Sequence, residues 1–422
     1  MTALPRELLP DNAVIDDTGR LSIGGCDVLE LAEEFGTPLF VYDEDHLRAR
    51  CREAVSAFGD GVAYAAKAFL CTAMARLAHE EGMHIDVASG GELFVVLAAG
   101  VPAERIVLHG NNKSSDELRQ ALDAGVGRIV VDSFDEMDRI EALVAAGAPV
   151  PKVLVRVTPG VEAHTHEYVR TGQQDSKFGF GLASGDAAAA VIRASGSDAM
   201  DLVGVHAHIG SQVFVADFFA EAIEVLAPFV TPLGLPELSI GGGLGVAYVV
   251  GEAAPTISDW ATAVHQACAE VGIEARPVAE PGRAITAQAA ITLYRVGTIK
   301  EVPGIRTYVA VDGGMIDNPR PALYGSGYET FLPRATLAER LRTVTVVGKH
   351  CESGDLLVRD GAVPDDLAVG DVLATPVTGA YGHSMGSNYN KLPRPPVVFC
   401  RGGEARLVVR RETYEDLLRA DL

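Results

Sequence analysis

The sequence predicts an α/β fold: a (β/α)8 barrel of the TIM type, plus a C-terminal antiparallel β domain that includes the N-terminal segment. Three observations predict it. From residue 61, short apolar segments alternate with segments rich in Ala, Leu and Glu, eight times in succession. Every apolar segment ends in a polar residue or a glycine. After Gly282 the pattern changes to stretches enriched in valine and threonine, divided by glycine turns. The expected division is a barrel over 31–284 and a β-rich domain made of 1–30 and 285–422.

The strands read as GVAYAAKA (61–68), HIDVAS (84–89), RIVLHG (105–110), RIVVDS (128–133), KVLVRV (152–157), LVGVHAHIG (202–210), ELSIGGG (237–243) and RPVAEPG (276–282). Their near-continuous apolar character is that of parallel strands covered on both faces. The segments between them, such as TAMARLAHEEG, SDELRQALDAG and DFFAEAIEVLAPF, read as helices. A doubly wound open sheet is the structural rival. The count of eight and the lack of a GxGxxG at the first unit favour the barrel. The later stretches AITAQAAITLYRVGTIKEV, RTYVAVDGG, TVTVVGKHC and DVLATPVTGAYG read as antiparallel strands, and DDTGRLSIGG near the start reads as a hairpin.

Composition narrows the function. The chain has 422 residues, of which 48% are hydrophobic and 22% charged, enough for a large core. The formal net charge of −22 argues against nucleic acid or an anionic membrane as partner. The opening MTALPRELLPDN lacks a basic segment followed by an apolar one, and no uninterrupted apolar run reaches the ~18 residues of a membrane helix. The six cysteines (Cys26, Cys51, Cys71, Cys268, Cys351 and Cys400) are scattered without a CxxC. That distribution predicts reduced thiols, no zinc site and a cytoplasmic location.

Barrel chemistry sits where strands end. The ends here carry Lys67, Asp86, His109, Asp132, Arg156, His208, Gly241-Gly242-Gly243 and Glu280, which together describe a lined pocket. Lys67 closes an apolar run, where burial would lower its pKa and free a neutral amine to attack carbonyls. The bland alternative is a lysine that has emerged into solvent. The triple glycine lets backbone N–H groups approach an anion, although it also suits a tight turn. Glu280 can face a protonated ring nitrogen, and Arg283 can fork onto a phosphate or carboxylate. The bland alternative is a Glu–Arg pair at a turn. His206 and His208 share a strand face and, like His164 and His166, are spaced for a metal; no carboxylate or cysteine stands at ligand spacing beside them, so no metal is expected. His208, with Ser211 after it, better serves as a flat ring for stacking. Cys351 lies between charged and small residues and is expected to be reachable. A lysine, a phosphate cradle, a carboxylate for a ring nitrogen and a stacking imidazole together describe a pyridoxal 5′-phosphate site.

The segments YAAKA, HIGSQ, GGGLG, EPGR, VDGGMIDNPRPALYG, CESGD and GAYGHSMGSNYN, in this order, closely resemble the diaminopimelate decarboxylases, a family of barrel-type pyridoxal-phosphate enzymes. The resemblance runs from about residue 25 to the C-terminus, and RTGQQDSKFGFG resembles that family's substrate-side loop. It implies catalytic roles for Lys67, as the cofactor's lysine, and for Cys351, as proton donor. It implies cofactor contacts from Asp86, His208, Ser211, Gly243, Glu280, Gly282, Arg283 and Tyr381. It implies substrate contacts from Arg283, Arg320, Tyr324, Glu352 and Tyr381, with Cys351 and Glu352 supplied by the partner subunit of a homodimer with shared active sites. The implied reaction converts meso-2,6-diaminopimelate, a small amino acid, into L-lysine and carbon dioxide. The alternatives are a racemase or an ornithine, arginine or carboxynorspermidine decarboxylase of the same fold, and a non-enzymatic regulatory relative. Arg320, suited to a distal carboxylate, argues against the first group. Retention of Lys67, Glu280 and Cys351 argues against the second.

Overall fold

A computed structural model describes residues 3–160 and 175–422. The chain forms two compact units: Arg50–Gly245 with Ala254–Ala284, and Met1–Ala49 with Val246–Ala253 and Ile285–Leu422.

The first unit is the barrel. Its strands are β1 (Ala63–Ala65), β2 (His84–Val87), β3 (Ile106–Leu108), β4 (Arg128–Val131), β5 (Lys152–Thr158), β6 (Asp201–Ala207), β7 (Glu237–Ser239) and β8 (Arg276–Val278). They pair in parallel and in sequence order from β1 to β8. Backbone hydrogen bonds from Ala63 to Ala279 (3.0 Å) and from Ala65 to Pro281 (3.1 Å) bring β1 against the chain leaving β8 and close the ring. A short strand, Phe180–Gly181, adds to β5.

Serines and a threonine cap four of the barrel's helices. Ser89 caps Gly90–Ala98 and Ser133 caps Phe134–Ala145. Ser114 with Glu117, and Thr256 with Asp259, form reciprocal capping boxes at Ser115–Ala124 and Ile257–Glu270. Each box satisfies backbone N–H groups that an incipient helix otherwise leaves bare. One detail departs from eight strand–helix repeats. The segment after β8 makes only the short helix Arg283–Thr286, while a long helix, Glu44–Phe58, precedes β1. Within the barrel unit the end of that helix packs Phe58 on Trp260, with ring centres 5.0 Å apart.

Charge pairs lock both mouths of the barrel. At the N-terminal ends of the strands Arg128 grips Glu237 through two bonds, 2.9 and 2.6 Å, and Arg276 joins the same carboxylate at 3.0 Å. Near the C-terminal ends Lys113 is fully enclosed. Its ammonium donates to Glu136 (2.8 Å) and to the carbonyls of Gly110 and Val130 (both 2.7 Å). Burial pulls the Lys113 pKa down while Glu136 opposes it.

The second unit holds an eight-stranded sheet whose centre is Ala290–Val302. This long strand pairs antiparallel with Arg306–Val311, Val372–Pro376 and Leu39–Asp43. Antiparallel pairing dominates, as expected, but two pairings are parallel: Arg306–Val311 with Arg342–Val347, and Leu39–Asp43 with Val397–Arg401. Both join strands far apart in sequence, so no hairpin imposes the antiparallel sense. The N-terminal hairpin extends into a small three-stranded sheet, Val14–Ile15, Leu21–Ile23 and Cys26–Asp27. The N-terminal part of this unit runs to Ala49, past the expected boundary at residue 30, because Leu39–Asp43 is bonded into the large sheet.

Candidate active site

The C-terminal ends of the barrel strands converge on Glu280. Its carboxylate is buried and accepts from Ser239 Oγ at 2.8 Å and from His206 Nε2 at 3.1 Å. His109 Nε2 stands 3.4 Å from the same carboxylate and 3.6 Å from Asp86. The His109 and His206 rings meet edge to face, centres 5.0 Å apart. Burial alone would protonate Glu280, yet the two histidines hold it well below the usual carboxylate range. Burial drives His206 down to about 4, against the pull of Glu280, so it donates as a neutral ring. Burial also opposes charge on His109, but Asp86 and then Glu280 outweigh it and raise its pKa. Desolvation raises Asp86, with His109 opposing.

His208 follows the last residue of β6 and is half-buried. Its Nδ1 accepts from the Gly242 N–H at 3.1 Å, which leaves Nε2 to carry the proton of the neutral ring. Desolvation, then the charge of Lys67, lowers its pKa well below the ordinary value. The glycine run is shaped by close approach. A Cβ on Gly242 would lie 2.4 Å from the Glu280 carbonyl oxygen, and one on Gly243 2.4 Å from that of Gly210. Gly243 also has φ +117, a region that favours glycine. Beside this loop Arg283, itself buried, donates to Ser211 Oγ at 2.9 Å. Gly282 fits closely against Ala65 and Ala68.

Lys67 departs from its expected setting. β1 ends at Ala65, and the lysine stands exposed on a 3-10 turn, Ala66–Ala68. It projects from the closed end of an apolar strand into a region where its charge acts on His208, Asp86 and Glu92.

The other candidates lie in the second unit. Arg320 is buried, donates to Tyr328 Oη at 2.7 Å, and lies 4.2 Å above the Tyr248 ring. Tyr324 ends the short helix Arg320–Tyr324 and is half-buried. Tyr381 is half-buried with φ 60, a strained value for a residue with a Cβ. Cys351 and Glu352 are exposed, and the Cys351 N–H donates to Asn390 Oδ1 at 3.0 Å. Asp355 anchors this loop by accepting from the backbone and Nδ1 of His350 (2.9 and 2.8 Å) and from the Met315 N–H (2.6 Å).

In the sequence His109 and Arg156 stand out only as strand ends, and Ser239 does not stand out at all. The available signal was alternation: Ser239 stands two residues before Gly241, on the same strand face. For a metal, spacing singled out His206 with His208. Among the described residues the only such cluster is instead His109, His206 and Glu280, whose ligand atoms lie within 4.8 Å of one another, with His206 hydrogen-bonded to Glu280. His164, His166 and the RTGQQ part of the expected substrate loop lie outside the described residues. In the remainder of that loop, Phe178 packs under the Arg156 guanidinium at 4.4 Å.

Residues 44–287 match the pyridoxal-dependent decarboxylase family, pyridoxal binding domain. A diaminopimelate decarboxylase of Mycobacterium tuberculosis is 49% identical over 97% of this chain and 96% of its own length. The chain belongs to the diaminopimelate decarboxylase family. Bacillus subtilis has a relative of the same name, 47% identical over 96% of this chain and 95% of its own. Among solved structures, the diaminopimelate decarboxylase from M. jannaschii in co-complex with L-lysine superposes with a TM-score of 0.90, at 34% identity over 98% of both chains. The cofactor of this enzyme family is pyridoxal phosphate, and the donor set fits it. A close glycine turn beside Ser211 and Arg283 suits a phosphate, a buried ionised Glu280 suits a protonated ring nitrogen, and a neutral His208 offers a flat face.

Within the VDGGMIDN segment, Asp317 is buried and accepts from the Gly314 N–H at 2.8 Å. Burial pushes its carboxyl up to about 7, helped by Asp312 and Asp355. Between pH 3.8 and about 7 the folded chain keeps a proton that the unfolded chain releases, so this group's contribution to stability falls as pH rises. Asp317→Asn should therefore gain stability relative to the parent between acid and mildly alkaline pH, by up to roughly 4 kcal/mol. Urea titrations across that range check it; parallel stability curves would contradict it.

Proposed function

We propose that this chain decarboxylates meso-2,6-diaminopimelate to L-lysine and carbon dioxide, with its own residues arranged as follows. The observation that carries the reading is the Glu280 centre, an enclosed carboxylate kept ionised at the C-terminal mouth of a barrel beside a glycine cradle. When bound, pyridoxal phosphate takes up the electron pair left on the substrate's Cα as the carboxylate departs. Lys67 would hold the cofactor at its aldehyde carbon; the lysine is exposed on its 3-10 turn. Glu280 stabilises the protonated ring nitrogen, and neutral His208 stacks without adding charge. Gly243, Gly282, Ser211 and Arg283 hold the phosphate, and Asp86 supports the ring. Tyr381 serves both cofactor and substrate.

The substrate's distal amino and carboxylate groups meet Arg320, Tyr324, Tyr381 and Glu352, with Arg283 within reach of substrate as well. Arg320 is the specificity element. A buried guanidinium already stacked on Tyr248 is pre-oriented for a carboxylate that ornithine and arginine lack at that end. Cys351 would supply the proton that takes the place of the lost carboxylate on Cα. We place Cys351 and Glu352 in the site of the partner subunit of a homodimer; their exposure on the chain supports this. The protein acts in the cytoplasm on this reading, consistent with its scattered thiols; no helix among the described residues is long and apolar enough to cross a membrane.

Incubation with meso-diaminopimelate, ornithine, arginine and lysine, followed by identification of the amine, tests the substrate. Lysine from diaminopimelate is expected, with little product from the others. Faster release of putrescine or agmatine would overturn it.

Shared sites have their own test. Lys67→Ala and Cys351→Ala homodimers should each be nearly inactive. Co-expressed, half the dimers pair the two variants, and each such dimer has one intact site. Activity should return to about a quarter of the parent's for random pairing of independent sites. No recovery in confirmed heterodimers would show that each chain completes its own site.

A further inference from the structure

We infer that His109 is a positioning residue: wedged between Asp86 and Glu280, it fixes the charge and direction of the Glu280 carboxylate. This rests on the proposed pairing of Glu280 with the cofactor's ring nitrogen, and extends it to a residue that reaches the cofactor only through Glu280.

The geometry is specific. His109 follows the last residue of β3 and is buried. One ring nitrogen faces two carboxylates, Asp86 on β2 at 3.6 Å and Glu280 beyond β8 at 3.4 Å. The ring edge rests on His206 of β6, whose Nε2 occupies the other Glu280 oxygen at 3.1 Å. Ser239 of β7 completes the clamp at 2.8 Å. The remaining ionisable groups acting on the cluster are Arg156 of β5, which lies 3.7 Å from Asp132 just after β4; Lys67, whose charge acts on Asp86; Glu92, which interacts with both Asp86 and His109; and the neutral His208, on which Glu280 acts.

A cation at this point has a definite effect. Two enclosed carboxylates facing one another cannot both stay ionised without a positive group between them. His206 is driven neutral and cannot be that group. With His109 neutralised, Glu280 takes up a proton more readily, and a protonated Glu280 no longer favours charge on a ring nitrogen. An imidazole that only filled space would leave the titration of Glu280 unchanged.

The test uses the cofactor-loaded enzyme carrying His109→Gln. The acid limb of its kcat–pH profile should move up by about one pH unit or more. The cofactor's absorbance band should titrate with the same displacement. kcat at neutral pH should fall ~10-fold or more with KM held within about twofold. Glu280→Gln should by itself impair turnover and alter the spectrum. Adding His109→Gln to Glu280→Gln should then cost nothing further, because both lesions act through one carboxylate. An unmoved acid limb, or losses that multiply in the double variant, would overturn the inference. A Glu280→Gln enzyme with normal turnover and spectrum would instead sink the Glu280 reading and this one with it. Should His109→Gln fail to fold, neutron diffraction from crystals of the parent enzyme at about pH 8 decides the point. Deuterium on both His109 nitrogens is expected, and a ring carrying only one would contradict a fixed cation.

Discussion

A negative charge has to survive out of water at the mouth of the barrel. Glu280 is enclosed, and an enclosed carboxylate ordinarily takes up a proton. It stays ionised because three strand ends deliver favourable partners to it: His109 at one side, His206 and Ser239 at the other. Closure of the ring makes this possible. The hydrogen bonds joining β1 to the segment after β8 bring the two ends of the barrel sequence together and set Lys67 and Glu280 on adjoining strand ends. An open sheet would leave those two residues at opposite edges.

The same loop that carries Glu280 shapes the anion cradle. The Glu280 N–H donates to the Gly241 carbonyl at 2.8 Å, and the Glu280 carbonyl lies where a Gly242 side chain would begin. His208 is tied to the cradle through Gly242. The carboxylate, the flat imidazole and the glycine turn therefore hold one another in register. Few of these positions tolerate an added methyl group, which is why glycine recurs where function needs backbone rather than side chain.

Much of this was legible in the sequence. Eight apolar runs, each ending in a polar residue or a glycine, give the barrel and its functional end because parallel strands and strand-end chemistry leave local marks. Lys67 shows where local marks run out: the run Ala65-Ala66-Lys67-Ala68 is equally apolar as a strand end or a 3-10 turn, and only the pairing of Ala65 with Asp86 decides. The parallel joins in the second unit, and the inclusion of Leu39–Asp43 in its sheet, depend on strands more than two hundred residues apart in the case of Leu39–Asp43 and Ala290–Val302. The network around Glu280 is long-range in the same way. His109, His206 and Ser239 are ordinary residues in their own segments and acquire a role only when the strands are assembled. Residues that touch a cofactor leave motifs; residues that tune those residues do not.

The central claim is that the barrel mouth holds pyridoxal phosphate on Lys67. Borohydride reduction of the loaded protein, followed by peptide mapping, tests it most directly, because reduction makes the lysine–cofactor bond permanent. The account predicts a phosphopyridoxyl group on Lys67 and none on Lys113, whose ammonium is already committed to Glu136 and two carbonyls. Label on any other lysine, or a Lys67→Ala protein that still acquires the label, would contradict it.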